Sequence, residues 1–247
     1  MSSRLQRLDE INEIVSKNPN EVPDEIRKEF WRIVKEIKKE VSPDDSEIMK
    51  AAKIRDFLFE ANRGGTYSLR LGMIVEGILG ILAVIGYFWA LGFELQWLSI
   101  LSWSLNDWTI FVIRFLFVFA VIAFLYPFGR LIAGRWTGIK ILGMCRDQYY
   151  EPTLKIDYET FLKAPPPRRK WFFFFAGIWT IITSLWLGMV GLIIDWDLTA
   201  FIPVVLLMFF EGHVIHSGNP KASGGEMGHY NREKLIEKAW MKKKGIK

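Results

Sequence analysis

Four long apolar stretches that are almost free of charge constrain this chain more than any other feature of its sequence. They cover residues 71–93, 108–127, 171–194 and 198–216. A helix rises 1.5 Å per residue, so about 20 residues cross the roughly 30 Å of hydrocarbon in a bilayer. A soluble domain of 247 residues that is 51% hydrophobic would not hide runs of this kind. The sequence therefore predicts an all-α, polytopic membrane protein with four transmembrane helices in two hairpins.

The basic residues lie on one side of the predicted membrane. The connections 94–107 and 195–197 contain no Lys or Arg, whereas residues 128–170 and the tail are rich in both. Because basic loops stay on the cytoplasmic side, both termini of this multi-pass protein are predicted to face the cytoplasm from the cell membrane. Attraction to anionic headgroups of the lipid bilayer explains the net charge of +5, and no nucleic-acid partner is expected.

The hydrophilic parts of the chain flank the two hairpins. Residues 1–65 are predicted to form cytoplasmic amphipathic helices, interrupted at 18–20 and 42–44 by Pro with Asn, Ser or Asp. These helices form a small domain or lie on the membrane surface; a solvated arm packed on the rest of the protein is the alternative. Hairpin 1, a basic cytoplasmic loop, hairpin 2 and a basic tail with a helix follow at residues 66–134, 135–170, 171–217 and 218–247.

Ionisable residues interrupt the predicted spans at two depths. Such residues are rare in hydrocarbon and face the bundle interior or a cavity. Near the cytoplasmic edge, three helices contribute a polar inner-leaflet layer that consists of Glu76, Arg130, Glu211, His213 and His216. Near the outer edge, Asp107 and Arg114 lie two turns apart on one helical face and form a candidate pair. Pro127 is expected to bend or end the second span near Arg130.

The inner-leaflet layer has two interpretations. It is a site (an ion or proton relay, a metal site or a headgroup pocket), or it is a structural network in which Glu and Arg neutralise each other. On a regular helix Glu211 points away from His213 and His216, so these three side chains do not converge on one ion. A metal site would need further ligands, which leaves metal binding open with His213, His216 and His229 as candidates. No phosphate-binding Gly loop or nucleophile motif is present, and no cofactor is expected.

Residues 168–244 resemble a small two-helix membrane module, the 2TM domain. The matching features are the basic and aromatic start Arg168-Arg169-Lys170-Trp171, the short turn 195–197, His216 at the end of the second span, and the charged helix around 232–238. The resemblance implies a membrane-anchoring or signalling-associated module without catalytic chemistry.

These observations favour a non-enzymatic membrane scaffold or accessory subunit that engages protein partners through its cytoplasmic helices. The partner is expected to be a second copy of the chain or another membrane protein. One alternative is a small oligomeric transporter or channel that uses the inner-leaflet layer. The other is a lipid-modifying or metal-dependent membrane enzyme that uses His213, His216 and Glu76.

Overall fold

The computed structural model describes residues 3–63, 65–146, 152–219 and 225–245. Of the residues that the structure describes, 78% are helical, which supports the predicted helical class. In chain order the helices are α1 (Ser3–Lys17), α2 (Asp24–Ile37), α3 (Asp45–Asn62), α4 (Leu69–Leu91), α5 (Leu105–Thr137), α6 (Tyr158–Lys163), α7 (Pro166–Asp195), α8 (Phe201–Ser217) and α9 (Glu226–Lys244). A 3₁₀ segment, Trp97–Ser102, precedes α5. The segments 147–151 and 220–224, which belong to the predicted loop and tail, lie outside the described residues.

The first three helices and α6 pack into a unit that we call the helical body. The helices begin at the predicted breaks: α2 follows Pro23, and Asp44 caps α3 by accepting a hydrogen bond from the Ser46 amide at 2.7 Å. Their apolar stripes face inward and form one core that continues into the start of α7, with buried residues that include Leu8, Phe30, Ile54, Phe161 and Phe172. These stripes are therefore not free to lie on a membrane surface.

Three helices, α4, α5 and α7, are long and apolar enough to cross a membrane. Many of their large apolar side chains are exposed, among them Ile81, Phe119 and Ile193, as expected for helices surrounded by lipid. The α8 helix is also apolar but has only 17 residues. The three long helices support a membrane-embedded protein, whereas the fourth span and the orientation remain predictions.

Helix α5 continues through Pro127 to Thr137, so an end near Arg130 is ruled out. Proline removes a backbone donor and exposes nearby carbonyls, which neighbouring helices can satisfy. Beside the proline, α5 is bonded to α7, because the Trp179 indole of α7 donates to the Leu125 carbonyl at 2.9 Å. Gly129 lies directly against the same indole, so α5 and α7 approach each other closely at this point.

The predicted basic loop 135–170 contains regular structure that the sequence did not indicate, namely β2 (Ile141–Arg146), β3 (Pro152–Ile156) and α6. A further strand, β1 (Tyr67–Ser68), completes an antiparallel sheet in the order β1-β2-β3. Tyr67 pairs with Met144, and Cys145 pairs with Thr153. β2 has only six residues, the last of which is Arg146, and so short a run does not distinguish a strand from a loop.

The two ends of the bundle differ in what they carry. The connections from α4 to α5 and from α7 to α8 lie at one end, which we call the turn end. The helical body, the sheet and α9 lie at the other, which we call the body end. Helix α9 packs along α7 and α8, and the Asn231 amide donates to the Val214 carbonyl of α8 at 2.6 Å.

Candidate functional site

A buried cluster of polar side chains joins α4, α5 and the α7–α8 turn at the turn end. The Arg114 guanidinium, which has no exposed surface, donates to Asp197 Oδ1 at 2.9 Å and to Asp195 Oδ2 at 2.7 Å. It also donates to the carbonyl of Ala90 at 3.2 Å and to that of Phe93. Arg114 of α5 is thus bonded to the end of α4 and to the α7–α8 turn.

Asp197 is the acceptor at the centre of this cluster. It accepts hydrogen bonds from Tyr87 at 2.6 Å, Trp97 at 3.1 Å and Thr199 at 2.8 Å in addition to Arg114. These donors compensate the negative charge of the buried carboxylate and hold it in one position. We call this group the turn-end cluster; it consists of Arg114, Asp195, Asp197, Tyr87, Trp97 and Thr199. Its geometry is that of a structural network that holds the helix ends together.

The predicted pair of Asp107 and Arg114 does not form. Asp107 instead belongs to a capping box at the start of α5, in which it accepts from the Ser104 amide at 2.7 Å and its own amide donates to the Ser104 hydroxyl at 3.3 Å. Capping satisfies amides that have no partner within the helix. The acidic partners of Arg114 come from a turn more than eighty positions further along the chain.

At the body end, Arg130 of the predicted inner-leaflet layer binds the start of α9. Its Nε donates to Glu226 Oε1 at 2.6 Å, and Tyr126 donates to the same carboxylate. Another guanidinium nitrogen donates to Thr153 of β3 at 3.0 Å. Arg130 therefore joins α5 to α9 and to the sheet, with a partner, Glu226, that the sequence did not indicate.

Glu76 lies on α4, next to β2. Its side chain is 5% exposed and borders a cavity of about 230 Å³ between α4 and β2. The other lining residues are mainly apolar and are Tyr67, Leu71, Gly72, Val75, Met144 and Cys145. Burial raises the pKa of the Cys145 thiol, so this lone cysteine stays protonated and unreactive near neutral pH.

The three layer residues of α8 occupy different surroundings. Glu211 is half-buried and close enough to Glu226 for the two carboxylates to repel each other. His213 and His216 are exposed. Of the five predicted members of the layer, Arg130 thus contacts α9 and Glu76 borders the cavity beside α4. The other three, Glu211, His213 and His216, lie on α8.

The third metal candidate, His229, has a different role. Its ring stacks on Phe173 with centroids 4.7 Å apart. Burial, with the positive charges of Arg232 and Arg130, lowers the pKa of His229 to about 3, so the imidazole is neutral at physiological pH. Within the part of the chain that the structure describes, no group of three or more His, Cys, Asp or Glu side chains is arranged to hold a metal ion.

A second buried ion network connects the helical body to the bundle. Arg169 of α7 is 1% exposed and donates to Glu233 of α9 at 2.8 Å and to the Lys38 carbonyl at 2.9 Å. The Lys38 ammonium donates to the other oxygen of Glu233 at 2.6 Å. Burial alone would raise the pKa of Glu233, but Lys38 and Arg169 outweigh it and hold the pKa below its ordinary value.

This network was not predicted, because Arg169 and Glu233 entered the sequence argument only as parts of the basic start and the charged helix of the 2TM-like pattern. One available signal was the position of Glu233, which follows Tyr230 by three residues on the same side of α9. Such a spacing indicates a half-buried helix face but does not identify its partner. Comparisons with protein-family models, with curated proteins and with solved structures gave no significant match. The resemblance of residues 168–244 to the 2TM domain therefore remains a prediction.

Proposed function

We propose that the chain is a non-enzymatic membrane scaffold or accessory subunit of the cell membrane. In this proposal four helices span the bilayer, both termini are cytoplasmic, and the helical body presents a binding surface for a protein partner. The resemblance of residues 168–244 to a membrane-anchoring module agrees with this role.

The observation that carries the proposal is an exposed face of α2. Lys28, Trp31, Arg32 and Lys35 are all exposed and lie within one third of the helix circumference, while the opposite face is buried. Trp31 is 47% exposed. The only acidic residue in the same sector is Asp24, in the first turn. We call these four residues the α2 face.

An exposed Trp between basic side chains fits a protein interface better than a solvated surface. Tryptophan and arginine are the residues that most often dominate binding energy, and a basic rim selects an acidic partner and accelerates its association. The buried Lys38–Glu233–Arg169 network at the end of the same helix fixes the α2 face relative to the membrane helices. A partner bound there would be held at a defined height above the bilayer, which is the property that a scaffold requires.

The proposal is tested by photo-crosslinking in native membranes, with a photoreactive phenylalanine analogue in place of Trp31. We expect a crosslinked species of defined higher mass that weakens when Lys28 and Lys35 are changed to Glu. The matched control places the same analogue at Met49, which is 58% exposed on α3. An uncrosslinked monomer at both positions, or equal crosslinking at both, would contradict the proposal; crosslinks to lipid alone would make the face a membrane contact.

A transporter is the second candidate, favoured by the cavity beside Glu76. A buried carboxylate at an open, mostly apolar cavity is an arrangement that binds and releases protons or cations. Flux assays in liposomes test it directly. Flux that is abolished by Glu76→Gln but retained in Asp107→Asn would support transport, and absence of flux in the wild-type protein would remove this candidate.

A further inference from the structure

A cavity of about 380 Å³ lies between the last turn of α5 and the first turn of α7. We call it the Trp136–Trp171 groove; it is lined by Trp136, Thr137, Pro167, Arg168 and Trp171. It belongs to neither the turn-end cluster nor the α2 face. Its position at the body end of two long apolar helices places it where hydrocarbon would give way to headgroups.

Arg168 supplies an available positive charge to this groove. Its side chain is exposed and extends over Gly138, where an added Cβ would lie 3.8 Å from Nη1. The next two residues, Arg169 and Lys170, are paired with Glu233 and Glu237. Across the described ranges Arg168 makes no ion pair, so its guanidinium is available to a ligand.

Exposed apolar side chains of α5 and α7 lie one turn from the groove, toward the middle of the two helices. Trp136 and Phe175 are in edge-to-face contact with centroids 4.7 Å apart. Ile132 lies one turn from Trp136 and is 48% exposed. Tryptophan favours the boundary between headgroups and acyl chains, so the two indoles mark the depth of that boundary.

We propose that the Trp136–Trp171 groove binds one anionic phospholipid of the leaflet at the body end. The phosphate lies at the Arg168 guanidinium, whose planar donors match phosphate oxygens, and an acyl chain follows Ile132 and Phe175. Charge complementarity selects an anionic over a zwitterionic lipid, and the indoles and exposed apolar side chains select a lipid over a free anion. The site is independent of the proposed scaffold function.

Native mass spectrometry of the full chain, released from detergent micelles, tests the site. The protein is titrated with phosphatidylglycerol or with phosphatidylcholine of the same acyl chains. We expect one phosphatidylglycerol to be retained in preference to phosphatidylcholine, and Arg168→Gln to weaken its binding about fivefold, as expected for loss of one basic side chain near an anionic headgroup. Lys17→Gln is the control, since Lys17 is also exposed but lies on α1, outside the groove and the α2 face, and it should bind as the wild type does.

Two results would overturn the proposal. One is equal retention of the two lipids by the wild-type protein, or equal binding by the Arg168→Gln and Lys17→Gln variants. The other is displacement of phosphatidylglycerol by millimolar inorganic phosphate, which would make the groove a site for free anions. A loss of retention in Trp171→Ala, but not in Trp186→Ala on the exposed middle of α7, would support the apolar part of the site.

Discussion

At the scale of single residues, Arg114 has no exposed surface, so its positive charge is compensated by the carboxylates of Asp195 and Asp197 and not by water. We expect Asp197→Ala to destabilise the folded protein by about 3–5 kcal/mol, since it leaves a buried guanidinium without its closest buried partner. The free energy of unfolding is measured in mixed detergent micelles by denaturant titration.

Asp107→Ala is the control for this change. Asp107 is only partly buried and contributes a helix cap, so its loss should destabilise the protein much less than Asp197→Ala does. Equal destabilisation by the two variants would contradict the central place of Asp197 in the turn-end cluster.

A second prediction at this scale concerns His229, whose pKa of about 3 in the folded protein lies below the value of about 6.5 expected in the unfolded chain. Between these values the unfolded state binds more protons, so stability should fall as pH decreases below about 6.5. We expect a loss of up to about 2 kcal/mol between pH 7 and pH 5. His229→Phe, which retains a ring beside Phe173, should remove this dependence. An unchanged slope in the variant would show that other groups cause it.

At the scale of elements, the contact between α5 and α7 depends on Gly129. A Cβ at this position would overlap the Trp179 ring, so Gly129→Ala should separate the helices and destabilise the protein by about 1–3 kcal/mol. Gly212 of α8 has nothing within 4 Å of its Cβ position. Gly212→Ala should therefore stabilise the protein by up to about 1 kcal/mol through helix propensity. The unfolding temperatures of both variants are measured in detergent. A shift of both temperatures in the same direction would contradict the close packing of Gly129 against Trp179.

The elements that the sequence predicted are those with local signals. Asp44 and the proline breaks mark the starts of α2 and α3, and uncharged runs mark α4, α5 and α7. The sheet was missed because β1 has two residues and β2 six, too few for a period to be recognised. The end of α5 could not be predicted from Pro127, because a proline can either bend a helix or end it.

The partners of Arg130 and Arg114 could not be predicted either, because they lie on elements that are distant along the chain. Charge and position identified Arg130 and Arg114 as residues that need a partner inside the bundle. Glu226 lies 96 positions from Arg130, and Asp197 lies 83 positions from Arg114. Only the packing of α9 and of the α7–α8 turn brings these carboxylates into contact, and one sequence offers several acidic residues at comparable positions.

At the scale of the whole molecule, the Lys38–Glu233–Arg169 network makes the helical body and the bundle one unit. Glu233→Ala removes the shared acceptor of two basic side chains, so it should destabilise the contact by about 3–5 kcal/mol. We expect a single unfolding transition in the wild type and two in the variant, detected by calorimetry in detergent. Glu36→Ala, which changes an exposed carboxylate of α2, should retain one transition. Two transitions in the wild type would contradict the coupling.

The most direct test of the membrane arrangement is the labelling of single cysteines with a membrane-impermeant maleimide in intact cells. Cys145→Ala removes the only native cysteine, and Leu101→Cys and Met49→Cys then introduce exposed thiols at the turn end and in the helical body. We expect Leu101→Cys to be labelled in intact cells and Met49→Cys only after permeabilisation. Labelling of Met49→Cys in intact cells, or equal labelling at both positions, would contradict a bundle that crosses the membrane with its helical body in the cytoplasm.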